Sequence, residues 1–510
     1  MTIDKVIISN RAALQNKYGK AGFQKIHSAV KKLIAADKKR DLNSLLIFVD
    51  DDVAMKKVKG KAVNDQTDAE QYKHAVDSVF RHYSPDYLLL LGATDIVPHC
   101  RFRIPIPDDD DNFVPSDVPY ACEAPFSRTA GDFIAPGRVL GRLPDITGTN
   151  DPSYLVELIQ NSIKWKPLKL SAYKNYFSLS VKWWKKSTQI SLKNIFNSNA
   201  KLKLAPPTLG PYPKPELATL MHFFNCHGGE RTSEFYGQAN EHSNNFPVCF
   251  ESEMIADKVS YGTVAAAECC YGGLLYNPNR PTKIHLPISN TYLQNGAVAF
   301  VGSTTAAYGP SDSQGGADYI TQYFLIAIQK GASCGRAFLE AQQRFVEKGD
   351  VKMDPTDLKT IIQFLLLGDP SITPVEDQPK TTPGKTPVKN IMNKKVHDIK
   401  ERKDRRLKLS QKSFYINSTT DAPTRIEATV TGSVKADIEK ALRSYKFKDG
   451  KNFSYGFKKK SKTKKIARAN EYRYHIYSDV KRGQIIDTLR LLVIQEVNNK
   501  VMEIKEYVRR

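Results

Sequence analysis

Cysteine is scarce in this chain of 510 residues: there are seven, at positions 100, 122, 226, 249, 269, 270 and 334. An odd, scattered set without C-x-x-C spacing excludes a disulfide framework and a zinc knuckle, so reduced thiols are expected. Long hydrophobic runs are missing too, which excludes an ordinary membrane-spanning helix. The first residues, MTIDKVIISN, lack the basic start, apolar core and small-residue cleavage site of a secretory leader, and a cytoplasmic protein is the expectation. No G-x-x-x-x-G-K-[ST] stretch and no solenoid-length repeat occurs. What is present is ordinary globular material, 41% apolar and 25% charged, long enough for two or three folded units.

Negative charge is short in only one part of the chain. From Lys380 onward there are 34 Lys and Arg against 14 Asp and Glu, leaving 42 against 40 among the preceding residues. The same place carries SITPVEDQPKTTPGKTPVKN, where prolines and threonines replace any apolar period, as in an extended linker. Upstream, compact apolar runs at 6–10, 44–51 and 86–98 alternate with amphipathic stretches, and a second series follows at 175–181, 219–225, 262–268 and 296–303. The pattern implies an α/β protein with two successive parallel-sheet subdomains, 1–170 and 171–378. A Pro/Lys-rich linker at 379–411 and a small basic β-rich domain at 412–510, with one helix at 435–447 and a hairpin turn at NNK, complete the expected division.

Two strand ends carry chemistry. GTVAAAECCYGG at 262–273 runs from a buried strand into Glu268, Cys269, Cys270 and two glycines, and LATLMHFFNCHGGE at 217–230 runs from a strand into His227, Gly228 and Gly229. Ligands of open α/β sheets bind beyond the carboxyl ends of the strands. A thiol with an ordinary pKa near about 8.5 needs a neighbouring imidazole to become a thiolate near neutral pH. Glycine after the histidine lets a substrate carbonyl approach, with backbone N–H groups holding an oxyanion. Each residue alone has a plainer reading, a satisfied strand-end histidine or a small buried thiol. Their joint placement favours catalysis. Zinc held by Cys226, His227, Cys269 and Cys270 is disfavoured, because adjacent pairs do not readily place both members on one tetrahedral ion.

These residues resemble the caspase-like cysteine peptidases, and most closely the gingipain family. HFFNCHGGE, AAECCYGGLL, NGAVAFVGSTTAAYG and FLLLGDPSITP occur in the order and spacing of that family, preceded by SDVPYA at 116–121 and GRLP at 141–144. The resemblance implies a cysteine endopeptidase acting on a protein substrate. Cys270 would be the nucleophile, His227 the acid and base, and the N–H groups of Gly228 and Cys270 the oxyanion hole. It implies an orienting carboxylate for the histidine as well, but the segment SIKWKPLKLSAYKNY, where one is sought, is basic. By the same resemblance Glu268 lines the primary specificity pocket, Lys182 in VKWWKKS replaces an acid there, and Tyr308 forms an aromatic wall. Glu268 favours Lys or Arg before the cut and Lys182 tilts the pocket towards Asn. The plainer reading of Glu268 is a carboxylate tied to local backbone.

Other stretches carry less. PDDDDNFVPSD at 107–117 is where calcium, common in gingipain-like enzymes, would be sought; it lacks the spaced ligands of a calcium loop and is expected to be a solvated acidic turn, with no cofactor required. NFSYGFKKKSKTKK at 452–465 suits nucleic acid or an acidic protein surface, or equally a core strand followed by a solvated loop. Three function classes stay open: a regulated intracellular endopeptidase, a catalytically weak caspase-like scaffold, and a nucleic-acid-associated defence protein acting through its basic domain.

Overall fold

The computed structural model describes residues 2–280, 284–348, 353–376, 391–419, 422–427, 430, 432–447, 452–458, 471–483 and 486–510, with the side chains of 348, 391–402, 418–419 and 457–458 outside that description. The first apolar runs form a parallel layer: β1 (Lys5–Ser9) lies between β2 (Ser44–Phe48) and β3 (Tyr87–Leu91). Val6, Ile7 and Ile8 are fully buried on both faces because helices cover each side. Asn10 accepts the Ala13 N–H and starts the long helix Arg11–Lys39, and Asp68 starts Ala69–Tyr83 in the same way. A short antiparallel ribbon, β4 (Cys100–Phe102) with β5 (Val114–Ser116), precedes β6 (Leu140–Leu143), which returns to lie parallel beside β3.

The second series builds another parallel set: β7 (Tyr176–Val181), β8 (Leu202–Ala205), β9 (Met221–Asn225), β13 (Val264–Ala267) and β14 (Ala299–Ser303). Between β9 and β13 the chain makes a small antiparallel sheet of β10 (His227–Gly228), β11 (Glu234–Tyr236) and β12 (Val248–Glu251). The two parallel sets are not separate layers. β16 (Phe364–Leu367) pairs antiparallel with β14 and parallel with β6, fusing them into one ten-stranded sheet of order β2-β1-β3-β6-β16-β14-β13-β9-β7-β8. Buried ion pairs hold the seam: Arg142 forks onto Asp117 at 2.5 and 2.8 Å, and Lys5 reaches Asp37 and Asp369, each at 2.7 Å. Among the described residues no helix is long and apolar enough to cross a membrane.

The basic end of the chain is β-rich, as its alternating pattern implies. β17 (Thr424–Ile426), β18 (Asn452–Lys458), β19 (Glu471–Lys481), β20 (Thr488–Val497) and β21 (Lys500–Arg509) form an antiparallel sheet whose last member is β15 (Tyr308–Gly309), contributed by the α/β part of the chain. The NNK turn puts Asn498 and Asn499 at φ of 51° and 63°, a left-handed pair that Asn tolerates. The helix Gly432–Ser444 covers one face through Val434, Ile438 and Ala441 against Leu492 and Ile494. The other face, with Tyr474, Leu491 and Tyr507, packs on Ala306, Tyr308 and Cys270. This sheet therefore roofs the carboxyl ends of β13 and β14 instead of standing apart. Within the expected linker, residues from 391 onward form the helix Ile391–Thr419, docked through Ser413 on the Ala135 carbonyl at 2.7 Å. Residues 377–390 and the lysine run 459–470 lie outside the described residues.

The aspartate run is not the solvated turn its composition suggests. Asp109 and Asp111 both accept from the buried Lys359, and Asp111 also accepts the Tyr271 hydroxyl at 3.0 Å and the Ala306 N–H at 2.9 Å. Asp108 takes the Ser478 hydroxyl at 2.6 Å, and Asp110 faces Arg482 at 3.2 Å. Alternate carboxylates turn to opposite sides: Asp109 and Asp111 converge on the one Lys359 ammonium, which offsets their mutual repulsion, while Asp108 and Asp110 reach partners on the β-rich sheet. The run does not fit a calcium ion; among the described residues there is no cluster of three or more acidic, His or Cys side chains arranged for a metal.

Lys359→Ala leaves two buried carboxylates without their cation. We expect a loss of about 3 to 5 kcal/mol in urea unfolding. A loss below about 1 kcal/mol would show that the clamp is peripheral.

Candidate active site

The site grows from the β9–β13 ladder. Met221 faces Val264 and Phe224 faces Ala267 in a parallel register, closed by the Glu268 N–H on the Phe224 carbonyl at 2.9 Å. The same offset of 43 residues separates Cys226 from Cys269, whose Sγ accepts the Cys226 N–H at 3.3 Å. It also separates His227 from Cys270. Beyond the ladder the two chains come closer still: a Cβ on Gly228 would lie 1.9 Å from the Cys270 carbonyl oxygen. Only glycine permits that approach. The backbone thus puts Cys270 beside Gly228, the neighbour of His227, with Cys269 turned into the core.

His227 is wholly buried, with Trp184 edge-on at 4.4 Å and Phe246 at 5.3 Å between ring centroids. Gln238 donates its amide to the Ser243 carbonyl at 3.0 Å, which turns its oxygen towards the histidine; His227 Nε2 then donates to that oxygen at 2.8 Å. This fixes the tautomer. Nδ1 keeps its lone pair and has no hydrogen-bond partner. Burial pushes the imidazole pKa down to about 3, opposed by Gln238 and assisted by the charges of Arg510 and Arg509. The partner of this nitrogen is a neutral amide, where the gingipain resemblance implies a carboxylate, and it belongs to a residue that carries no sequence mark.

Cys270 is equally enclosed. Its Sγ accepts the Ala307 N–H at 3.2 Å, and burial raises the thiol to about 11 despite the opposing field of Arg509. Tyr271, next in sequence, sits at a φ of 57°, a strained turn for an aromatic residue, and its N–H is held by the Thr305 carbonyl at 3.0 Å. Thiol and imidazole are therefore both neutral in this arrangement.

An acidic pocket lies alongside. Glu268 is buried and accepts the Thr321 hydroxyl at 3.0 Å, and it lies in the field of Asp318, at the start of the helix Ala317–Gln329. Burial and the Asp318 charge push Glu268 well above the usual carboxylate range. Asp318 faces the Arg510 guanidinium at 3.2 Å and accepts the Ser187 hydroxyl at 2.6 Å. The wall is Trp184, whose ring lies 4.6 Å from that guanidinium. Lys182 does not enter this pocket: it is exposed at the end of β7, and Trp184 two residues on turns inward instead. Tyr308 is buried among Cys270, Ala306 and Tyr507, opposite Arg509 in the β15–β21 pair, and is not the wall around Arg510.

Residues 216–375 match the family model of Peptidase family C25. It is a family of cysteine peptidases, hydrolases of protein substrates, and the matched segment holds His227, Gly228, Glu268, Cys270, Tyr308 and Asp318. Trp184, Ser187 and Arg510 lie outside this C25 segment. No curated protein matches the chain. A solved structure described as that of a protease is similar over 99% of this chain and 96% of its own length, at 12% identity and a TM-score of 0.45.

Gln238→Glu places a carboxylate on His227 Nε2. The imidazole titration should move up by about 1 to 3 pH units, read from the histidine ring resonances. An unmoved titration would mean that Gln238 does not govern the histidine.

Proposed function

We propose that this chain is a cysteine endopeptidase that cleaves protein substrates after arginine or lysine through His227 and Cys270. The observation that carries the reading is the approach of Gly228 to the Cys270 backbone, which sets the histidine and thiol at adjacent strand ends inside a C25 segment. Cys270 would attack the scissile carbonyl and form a thioester as the amine departs. His227 would take the thiol proton on Nδ1, the nitrogen left unpartnered, and pass it to the leaving amine. In the second half, the same nitrogen would deprotonate the water that hydrolyses the thioester. The N–H groups of Gly228 and Cys270 are the proposed oxyanion donors.

Preference for a basic side chain is supported by the Glu268–Asp318 pocket, whose charge is answered by a guanidinium. The acid that meets that cation is Asp318, with Glu268 behind it. A charge-assisted hydrogen bond contributes about 1.5 to 3 kcal/mol, or roughly 10- to 150-fold over a neutral side chain.

Cys270→Ala and His227→Ala should each lower peptide cleavage by at least about 10²-fold, while Cys269→Ala, which loses a core contact to the Cys226 N–H, keeps most of it. Loss in Cys269→Ala with retention in Cys270→Ala would move the nucleophile by one residue. Asp318→Asn should remove most of the discrimination between Arg and norleucine substrates; an unchanged ratio would assign the basic preference elsewhere.

A further inference from the structure

The arginine in the acidic pocket belongs to the chain itself. β21 lies antiparallel to β15, with Arg509 opposite Tyr308 and Val508 opposite Gly309. The Arg510 N–H then donates to the Ala307 carbonyl at 2.9 Å, and it is the Ala307 N–H that holds Cys270 Sγ. Adding a strand to an exposed edge is how extended peptides are commonly bound: backbone bonds give affinity and alternate side chains enter separate pockets. Here both parts are present. Arg510 is fully buried, donating to the Pro310 carbonyl at 2.8 Å, to Asp318 at 3.2 Å and to Ser187 at 3.4 Å. Arg509 turns to other partners, the Tyr271 hydroxyl at 3.2 Å and Asp110 at 3.9 Å.

We propose that Tyr507–Arg510 occupies the peptidase groove as a substrate would, with Arg510 in the position before the cut and Arg509 in the one before that, and so blocks the enzyme in cis. The inference rests on the peptidase reading above and extends it to a second subsite: Asp110 and Tyr271 select a basic residue next to the first, making paired basic residues the substrate class. A strand tethered beside its groove acts at an effective concentration in the millimolar range, so modest affinity suffices to close it. The fit is incomplete. Arg510 Nε and Nη1 are buried without partners, a cost that favours release. While the strand is in place Cys270 is shut away from solvent.

The test reads groove occupancy apart from catalysis. Alkylation of Cys270 by iodoacetamide, located by peptide mass mapping, is followed in the unaltered chain and in Arg510→Ala, with a thermal melt to establish folding. The variant should be labelled at least about tenfold faster, and the amide-ended peptide Tyr-Val-Arg-Arg at millimolar concentration should slow it again, whereas Tyr-Val-Asp-Asp should not. Arg510→Lys, which keeps a cation in the pocket, serves if the alanine variant does not fold and should show a smaller gain. In the unaltered chain the Arg-Arg peptide should also speed deuterium uptake by residues 507–510. A folded variant labelled at the original rate, labelling that both peptides slow equally, or uptake at 507–510 that the peptide leaves unchanged overturns the proposal. Faster labelling and selective protection without cleavage of an Arg-Arg substrate would instead sink the peptidase reading and keep the groove.

Discussion

The contact on which the site depends is backbone against backbone. Gly228 sits so close to Cys270 that a single methyl group would collide with a carbonyl oxygen. Everything that makes the two side chains a pair follows from it: the β9–β13 register that sets the offset, the turn through Tyr271 that ends the strand, and the Thr305 carbonyl that pins the turn. A parallel ladder is a good device for this, because its rigid core lies below and its carboxyl edge is left free for chemistry. The cluster Asp109, Asp111 and Lys359 supports the same edge from the far side, through the Ala306 N–H.

Neutrality is the second consequence of enclosure. With the β-rich sheet over it, the edge loses the water that would solvate a thiolate or an imidazolium, so both protonation states shift away from the reactive ion pair. Arg510 and Arg509 reinforce this on the histidine, whereas Arg509 opposes it on the thiol. Departure of the strand would readmit water and remove two cations. On the proposed reading, the neutral thiol and imidazole belong to the covered state and an active pair to the uncovered one.

Much of this was legible in the residues, and what was not has physical reasons. Apolar runs such as VIIS and YLLLL disclose strands, and the residues that follow two of them put His227 and Cys270 at adjacent strand ends, because burial restricts residue type within a strand and leaves its end free. Strand direction is not restricted in that way, so the antiparallel β16 that fuses the two halves has no signature. Four aspartates in a row suggest solvation, but Asp109 and Asp111 turn inward onto one buried lysine 248 to 250 residues away, which nothing in the local sequence announces. Trp184 was hidden by its neighbour: the lysine at 182 looked like the chemical feature, while the apolar ring two positions later was the one carried inward. Asp318 is the one charged residue of its helix, 131 residues from Ser187, and only the fold brings them together.

The central claim is that Cys270, served by His227, is the nucleophile of a site that accepts an arginyl side chain. The most direct measurement is mass mapping of the chain after reaction with an arginyl acyloxymethyl ketone, an affinity label that needs both the pocket and a working dyad. The account requires one adduct, on Cys270, faster in Arg510→Ala and absent from His227→Ala. An adduct on Cys269, or none on Cys270 once Arg510 has been replaced in a folded chain, would contradict it.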